Sequence, residues 1–98
     1  MDARYIRSNA KNQALDEVEE WREHVWELVS RWPLGATARL EMWEEAAADS
    51  VSWKGIGADC ASEADLTPEQ VEPWVEVFTA EAVRLACESL QEIREALK

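Results

Sequence analysis

Asp16, Glu20, Glu23 and Glu27 recur at intervals of four, three and four residues within "ALDEVEEWREHVWELVSRW", residues 14–32. On a helix, at 100° per residue, these four carboxylates fall within about 60° of one another. Glu19 flanks them. Eleven residues rising about 1.5 Å each make a row roughly 16 Å long, with one carboxylate per ~4 Å. One strand of DNA carries a phosphate every ~3.4 Å of axis. The chemistry open to such a row is electrostatic: it can stand where a nucleic-acid backbone stands on a basic protein.

The row works against its own helix. Asp16 with Glu20, Glu19 with Glu23 and Glu23 with Glu27 are like-charge i, i+4 pairs, each unfavourable by a few tenths of a kcal/mol. Glu27 with Arg31 and Glu19 with Arg22 are favourable pairs, but they do not neutralise the row. A sequence tuned only for helix stability would alternate signs here. Glu41, Glu45 and Asp49 repeat the four-residue spacing in the next segment, and Glu81, Glu88 and Glu92 mark one side of the last. Trp26 lies at the edge of the apolar stripe with Glu19 and Glu23 on its outer side. An aromatic ringed by acids suits an anchor for an arginine-rich surface. The candidate partner-binding residues are therefore Asp16, Glu20, Glu23, Glu27, Glu41, Glu45, Asp49 and Trp26.

Catalytic patterns are lacking. His24 is the one histidine, and it falls toward the polar side of its helix. No GxSxG, HExxH, Walker or Rossmann pattern occurs. "KGIG" lacks the spacing of a phosphate loop, and Asp59, Glu63 and Asp65 lack the central glycine of a calcium loop. A non-enzymatic protein with no catalytic residue, no metal site and no cofactor is expected. Cys60 and Cys87 form no CxxC pair and read as free thiols of a reducing compartment. The opening "MDARYIRSNAKN" has no apolar signal core, and no apolar run approaches membrane-spanning length. The expectation is a cytoplasmic protein without membrane contact, acting in a host cytoplasm if a phage encodes it.

These residues must be held by a small scaffold. Ninety-eight residues make a single domain with a modest core. The net charge of −11 is unevenly placed. Residues 1–13 carry three basic side chains against one acidic, a candidate basic arm over residues 1–11. The remainder carries seven basic against twenty acidic. A body this negative repels nucleic acid and anionic membrane, and its natural partner is a basic surface.

The periodicity is helical throughout, and three main helices are expected in an all-α bundle. The first runs from about residue 12 to 32. Ala14, Val18, Trp21, Val25, Leu28 and Trp32 form its apolar face, Leu15 and Val29 widen it, and Pro33 stops it. The second spans about 37–51, with Ala36, Leu40, Trp43, Ala47 and Val51 inward. Residues 52–65, with two glycines and no lasting period, read as a long loop that carries Trp53. The third helix spans about 67–97. Thr67 and Gln70 form a capping box around Pro68. Pro73 is expected to kink or break it. Val75, Phe78, Ala82, Leu85, Ala86, Ser89, Ile93 and Leu97 form its buried face.

The reading that follows is an inhibitor whose acidic helical faces occupy a basic nucleic-acid-binding surface of a protein partner. In size, acidity and absence of catalytic motifs the chain resembles the small phage-encoded inhibitors of host defence, such as anti-CRISPR proteins. That likeness is one of composition and transfers no residue roles. Two other readings stand beside it. One is a helical interaction or assembly module, such as a homodimer, that uses exposed tryptophans. The other is an antitoxin-like regulatory partner whose basic segment (Arg4, Tyr5, Arg7, Lys11) touches nucleic acid. The charge excess has a direct consequence for stability. Repulsion in the compact state favours proton uptake by the folded protein, so stability rises as pH falls from neutral toward about 5, and rises with added salt. Thermal melts across pH and ionic strength check this, and a flat response to both would show that the charges are balanced in space.

Overall fold

The computed structural model describes residues 2–31 and 35–97. Four helices follow in order: α1 (Ala3–Arg31), α2 (Ala36–Ala48), α3 (Ser50–Glu63) and α4 (Pro68–Ala96). The all-α bundle expected from the sequence is the architecture observed. α1 and α4 run parallel, since Asn9 meets Trp74 toward one end and Arg22 meets Glu92 further along. α2 and α3 follow one another in the opposite direction. Trp43 and Trp53 both meet Trp21, and Cys60 reaches back to Gln13 and Glu17. The bundle therefore has three rods, the middle one broken into α2 and α3. Twenty-nine residues at ~1.5 Å give about 43 Å for each long rod, close to the longest extent of 48 Å; the other two extents are 19 and 17 Å.

The break sits at Asp49. Its carboxylate accepts from the backbone N–H of Val51 at 3.1 Å and of Ser52 at 3.2 Å, and from the Ser52 hydroxyl at 2.8 Å. Those donors are among the orphans of a helix start, so Asp49 caps α3. This corrects two expectations. The second helix ends at Ala48 rather than 51, and residues 50–63 are a helix rather than a loop. Val51, expected in the core, is consequently 78% exposed. Gly55 and Gly57 suggested a breaker, yet Gly57 has a packing role. A Cβ there would lie 2.7 Å from Cδ1 of Phe78. The glycine lets α3 approach α4 closely enough to cover that ring, and tertiary packing overrides local propensity.

The first helix begins at Ala3 rather than near residue 12, with Asp2 Oδ1 accepting from Tyr5 N–H at 3.0 Å. The basic segment thus forms the first turns of α1. Its Asn9 accepts from the Trp74 indole at 3.0 Å and its Ala10 is buried, so it belongs to the bundle. Trp32 and Pro33, where the expected end of that helix falls, lie outside the described residues. Gly35 adopts φ 79°, a conformation that glycine reaches without a Cβ clash, and leads into α2. α4 runs unbroken through Pro73. The proline removes one hydrogen bond, to the Glu69 carbonyl, and both residues are exposed, so water can serve that carbonyl. At its start Thr67 N–H donates to Gln70 Oε1 at 3.0 Å, as the capping box requires.

The core follows the stripes with a few shifts. Ala14, Val18, Val25 and Val29 of α1, Leu40 and Ala47 of α2, and Val75, Phe78, Ala82, Ala86, Ser89 and Ile93 of α4 are buried. Leu15 and Leu97 point outward instead, while Trp21, Leu28, Trp43 and Leu85 are partly buried. Trp53, from the segment expected to be a loop, and Trp74 are deeply buried, at 3% and 1% exposure. Each indole N–H is satisfied, Trp53 by the Ala47 carbonyl at 3.0 Å and Trp74 by Asn9. Trp74 stacks on Phe78, with centroids 5.5 Å apart. Trp21 takes Trp43 and Trp53 edge-on at 5.9 and 5.7 Å, which ties both halves of the broken rod to α1.

The two helical glycines should respond in opposite directions. Gly55 has open space around a new Cβ, so Gly55→Ala should stabilise by about 1 kcal/mol. Gly57→Ala gains the same propensity but overpacks a buried ring, a penalty of about 1–3 kcal/mol, and should destabilise. Urea unfolding of the pair checks this. A second expectation concerns acid. Hydrogen bonding from the Ser52 side chain and backbone holds the Asp49 carboxyl below its ordinary range. Hydrogen bonding and charge from Arg84 do the same for Glu81, with Lys11 adding attraction. A lowered folded pKa gives stability that is present above the unfolded value and lost as pH falls through the folded one. Below about pH 4 the stability curve should therefore turn down. The downturn should be shallower in an Asp49→Asn, Glu81→Gln variant, measured by thermal melts at stepped pH.

Candidate protein-binding surface

α1 places the acidic row by default. Its core residues Ala14, Val18, Val25 and Val29 face the other rods, so residues 16, 20, 23 and 27 face solvent. All four carboxylates are exposed. Glu27 pairs with Arg31 at 3.1 Å, as its spacing implied. Asp16, Glu20 and Glu23 have no cation partner among the described residues.

The other expected pair of the row does not form. Arg22 leaves Glu19 and crosses to Glu92 of α4 at 2.7 Å. Parallel packing brings α4 alongside, and an interhelical carboxylate beside the seam competes with the i, i+3 neighbour. The result adds Glu19 to the uncompensated carboxylates. Asp16, Glu19, Glu20 and Glu23, joined by the half-buried Glu17, form a continuous acidic ridge along the middle of α1.

Trp26 is 42% exposed, as its place at the edge of the stripe implied. It lines an open groove between α1 and α4. Glu19, Arg22 and Glu23 form the α1 side, and Glu92, Ile93 and Ala96 the α4 side. Glu19 and Glu23 belong to both groove and ridge. One aromatic face, an apolar floor and two carboxylates with no ion pair among the described residues therefore meet at a single place. The sequence placed Trp26 and the acids but did not disclose the α4 wall, because that wall depends on the parallel register of two segments far apart in the chain.

The remaining candidates lie elsewhere. Glu41 and Glu45 are exposed on α2, on the flank where Glu44 pairs with Arg94 of α4. α2 turns Trp43 toward Trp21 and His24 of α1, so its two acids do not extend the α1 row. Asp49 belongs to neither surface, being committed to the α3 cap. On α4, Glu81 and Glu88 are both held by Arg84, and Glu92 by Arg22. The α1 ridge is thus one continuous negative surface; Asp59, Glu63, Asp65, Glu69, Glu72 and Glu76 are further exposed carboxylates at the end of α3, in the connection and at the start of α4.

Little else on the molecule offers chemistry. Cys60 and Cys87 are free thiols. Burial raises the Cys60 pKa to about 11, and the negative charge of Glu17, which accepts from the thiol at 3.6 Å, acts in the same direction. That thiol stays protonated at neutral pH and is a poor nucleophile. His24 is exposed and lies edge-on to Trp43 at 6.1 Å. Among the described residues no group of three or more His, Cys, Asp or Glu side chains is placed to hold a metal ion. Among them, too, no helix is long and apolar enough to cross a membrane. No protein-family model, no curated protein and no solved structure matches the chain.

Proposed function

We propose that the protein is a non-enzymatic inhibitor that occupies a basic, nucleic-acid-binding surface of a protein partner. The observation that carries this reading is the ridge on α1. Asp16, Glu19, Glu20 and Glu23 are exposed side by side and no described cation neutralises them. A folded protein gains nothing in stability from such an arrangement, since neighbouring like charges on a helix repel. A basic groove shaped for phosphates gains a great deal, through attraction that also speeds encounter. The slender outline, 48 by 19 by 17 Å, is close to that of a short rod of nucleic acid. A phage-encoded inhibitor of host defence is the setting that the composition suggests. Glu41 and Glu45 form a secondary negative patch in this scheme, and Asp49 drops out of the binding set.

A second reading has one observation in its favour. Met42 is exposed beside Leu28, Trp43 and Ala46, and with Arg39 these form a largely apolar groove between α1 and α2. An assembly module joined through that groove would bind in a salt-tolerant way and scatter light as an oligomer.

The test is a neutralised variant, Asp16→Asn with Glu20→Gln, Glu23→Gln and Glu27→Gln. Tagged wild-type and variant proteins are exposed to host lysate and eluted with a salt gradient. The captured partner is then assayed for binding to a labelled DNA or RNA duplex. The wild type should release nucleic-acid-handling proteins at moderate salt and compete with the duplex. The variant should lose that competition while its thermal midpoint stays the same or rises. Equal competition by both proteins would refute the proposal.

A further inference from the structure

We infer that the α1–α4 groove takes one arginine side chain of the partner, stacked on Trp26. This rests on the reading above and names the contact that would make binding more than a diffuse attraction. Glu19, Glu23 and Trp26 lie at i, i+4 and i+7, within about 60° on the helix. Side chains of a helix lean toward its N-terminus, so the indole covers the turn that carries Arg22 and Glu23. The partly exposed indole is therefore bordered on one side by two carboxylates that make no ion pair among the described residues. On the other side lie Ile93 and Ala96.

Charge complementarity selects the occupant. An apolar side chain would satisfy the floor but leave Glu19 and Glu23 partly desolvated and unpaired, which is unfavourable. A lysine would place a compact, strongly hydrated ammonium against the acids and use little of the aromatic face. A guanidinium is planar and weakly hydrated. It stacks flat on an indole while its edge N–H groups point outward to carboxylates lying in its plane. The groove already tolerates one guanidinium, because Arg22 lies along it in its pair with Glu92. That internal pair satisfies Glu92 and reserves the two α1 acids for an incoming arginine.

The probes are two twelve-residue peptides, one alternating arginine with alanine and one alternating lysine with alanine. Affinities are measured by calorimetry for the wild type, for Trp26→Ala, and for an Asp16→Asn, Glu20→Gln, Glu27→Gln variant that leaves the groove intact. Far-UV circular dichroism confirms that each variant is folded. Trp26 is outside the core, so its removal leaves the bundle in place. The wild type should bind the arginine peptide several-fold more tightly than the lysine peptide, with a shift of the Trp26 indole N–H resonance. Trp26→Ala should lose about five- to tenfold in arginine-peptide affinity and with it the preference over lysine. The ridge variant should weaken both peptides alike and keep the preference. A Trp26→Ala protein that still prefers arginine overturns the groove inference. In that event the acidic-surface reading survives if the ridge variant weakens both peptides, and falls with it if that variant binds as the wild type does.

Discussion

The buried stripe of α4 is the surface that all three other helices share. Phe78, Ala82, Ala86, Ser89 and Ile93 run down its length, and α1, α2 and α3 each pack on it. In a body 17 to 19 Å thick there is room for one such spine and no second layer. The small residues at 82, 86 and 89 and the glycine at 57 bring backbones close, and the aromatic pair Trp74–Phe78 fills the space left at one end. Once that spine is covered, the outward direction of every other residue is decided. The acids of α1 are on the surface because the valines beneath them are committed to the core.

The same geometry redistributes the charge. Each arginine in the seams has a choice between a neighbour on its own helix and a carboxylate on the next. Arg22 and Arg94 take the interhelical option, with Glu92 and Glu44, whereas Arg31 and Arg84 stay local. Exposed pairs of this kind add little to stability. Their effect here is on where uncompensated charge remains. The middle of α1 keeps acids with no ion pair among the described residues, while on α4 Glu81 and Glu88 are neutralised by Arg84 and Glu92 by Arg22 of α1. The acidic body therefore presents a continuous negative ridge on α1, bordered by the exposed Trp26.

Much was legible in the sequence because helical periodicity is a local property. The stripes of α1 and α4, the cap at Thr67, the exposed position of Trp26 and the outward row from Asp16 to Glu27 all follow from spacing within one segment. The errors have two causes. Residues 52–65 look like a loop because glycines and small residues weaken local helical preference, but packing of Gly57 and Trp53 into the bundle outweighs that preference. Asp49 looks like the last carboxylate of an acidic face because it keeps the four-residue spacing, whereas its carboxylate accepts from the Val51 and Ser52 N–H groups and caps the next helix.

The sequence by itself determined the all-α class, the amphipathic faces and the row of carboxylates, since each depends on residues within a few turns of one another. The tertiary structure decided which acids stay unpaired among the described residues and that Ile93 and Ala96 floor a groove beneath Trp26. Those depend on the parallel register of α1 and α4, segments some seventy residues apart. That register is marked by Trp74 donating to Asn9 and by Arg22 pairing with Glu92, contacts that no local pattern contains.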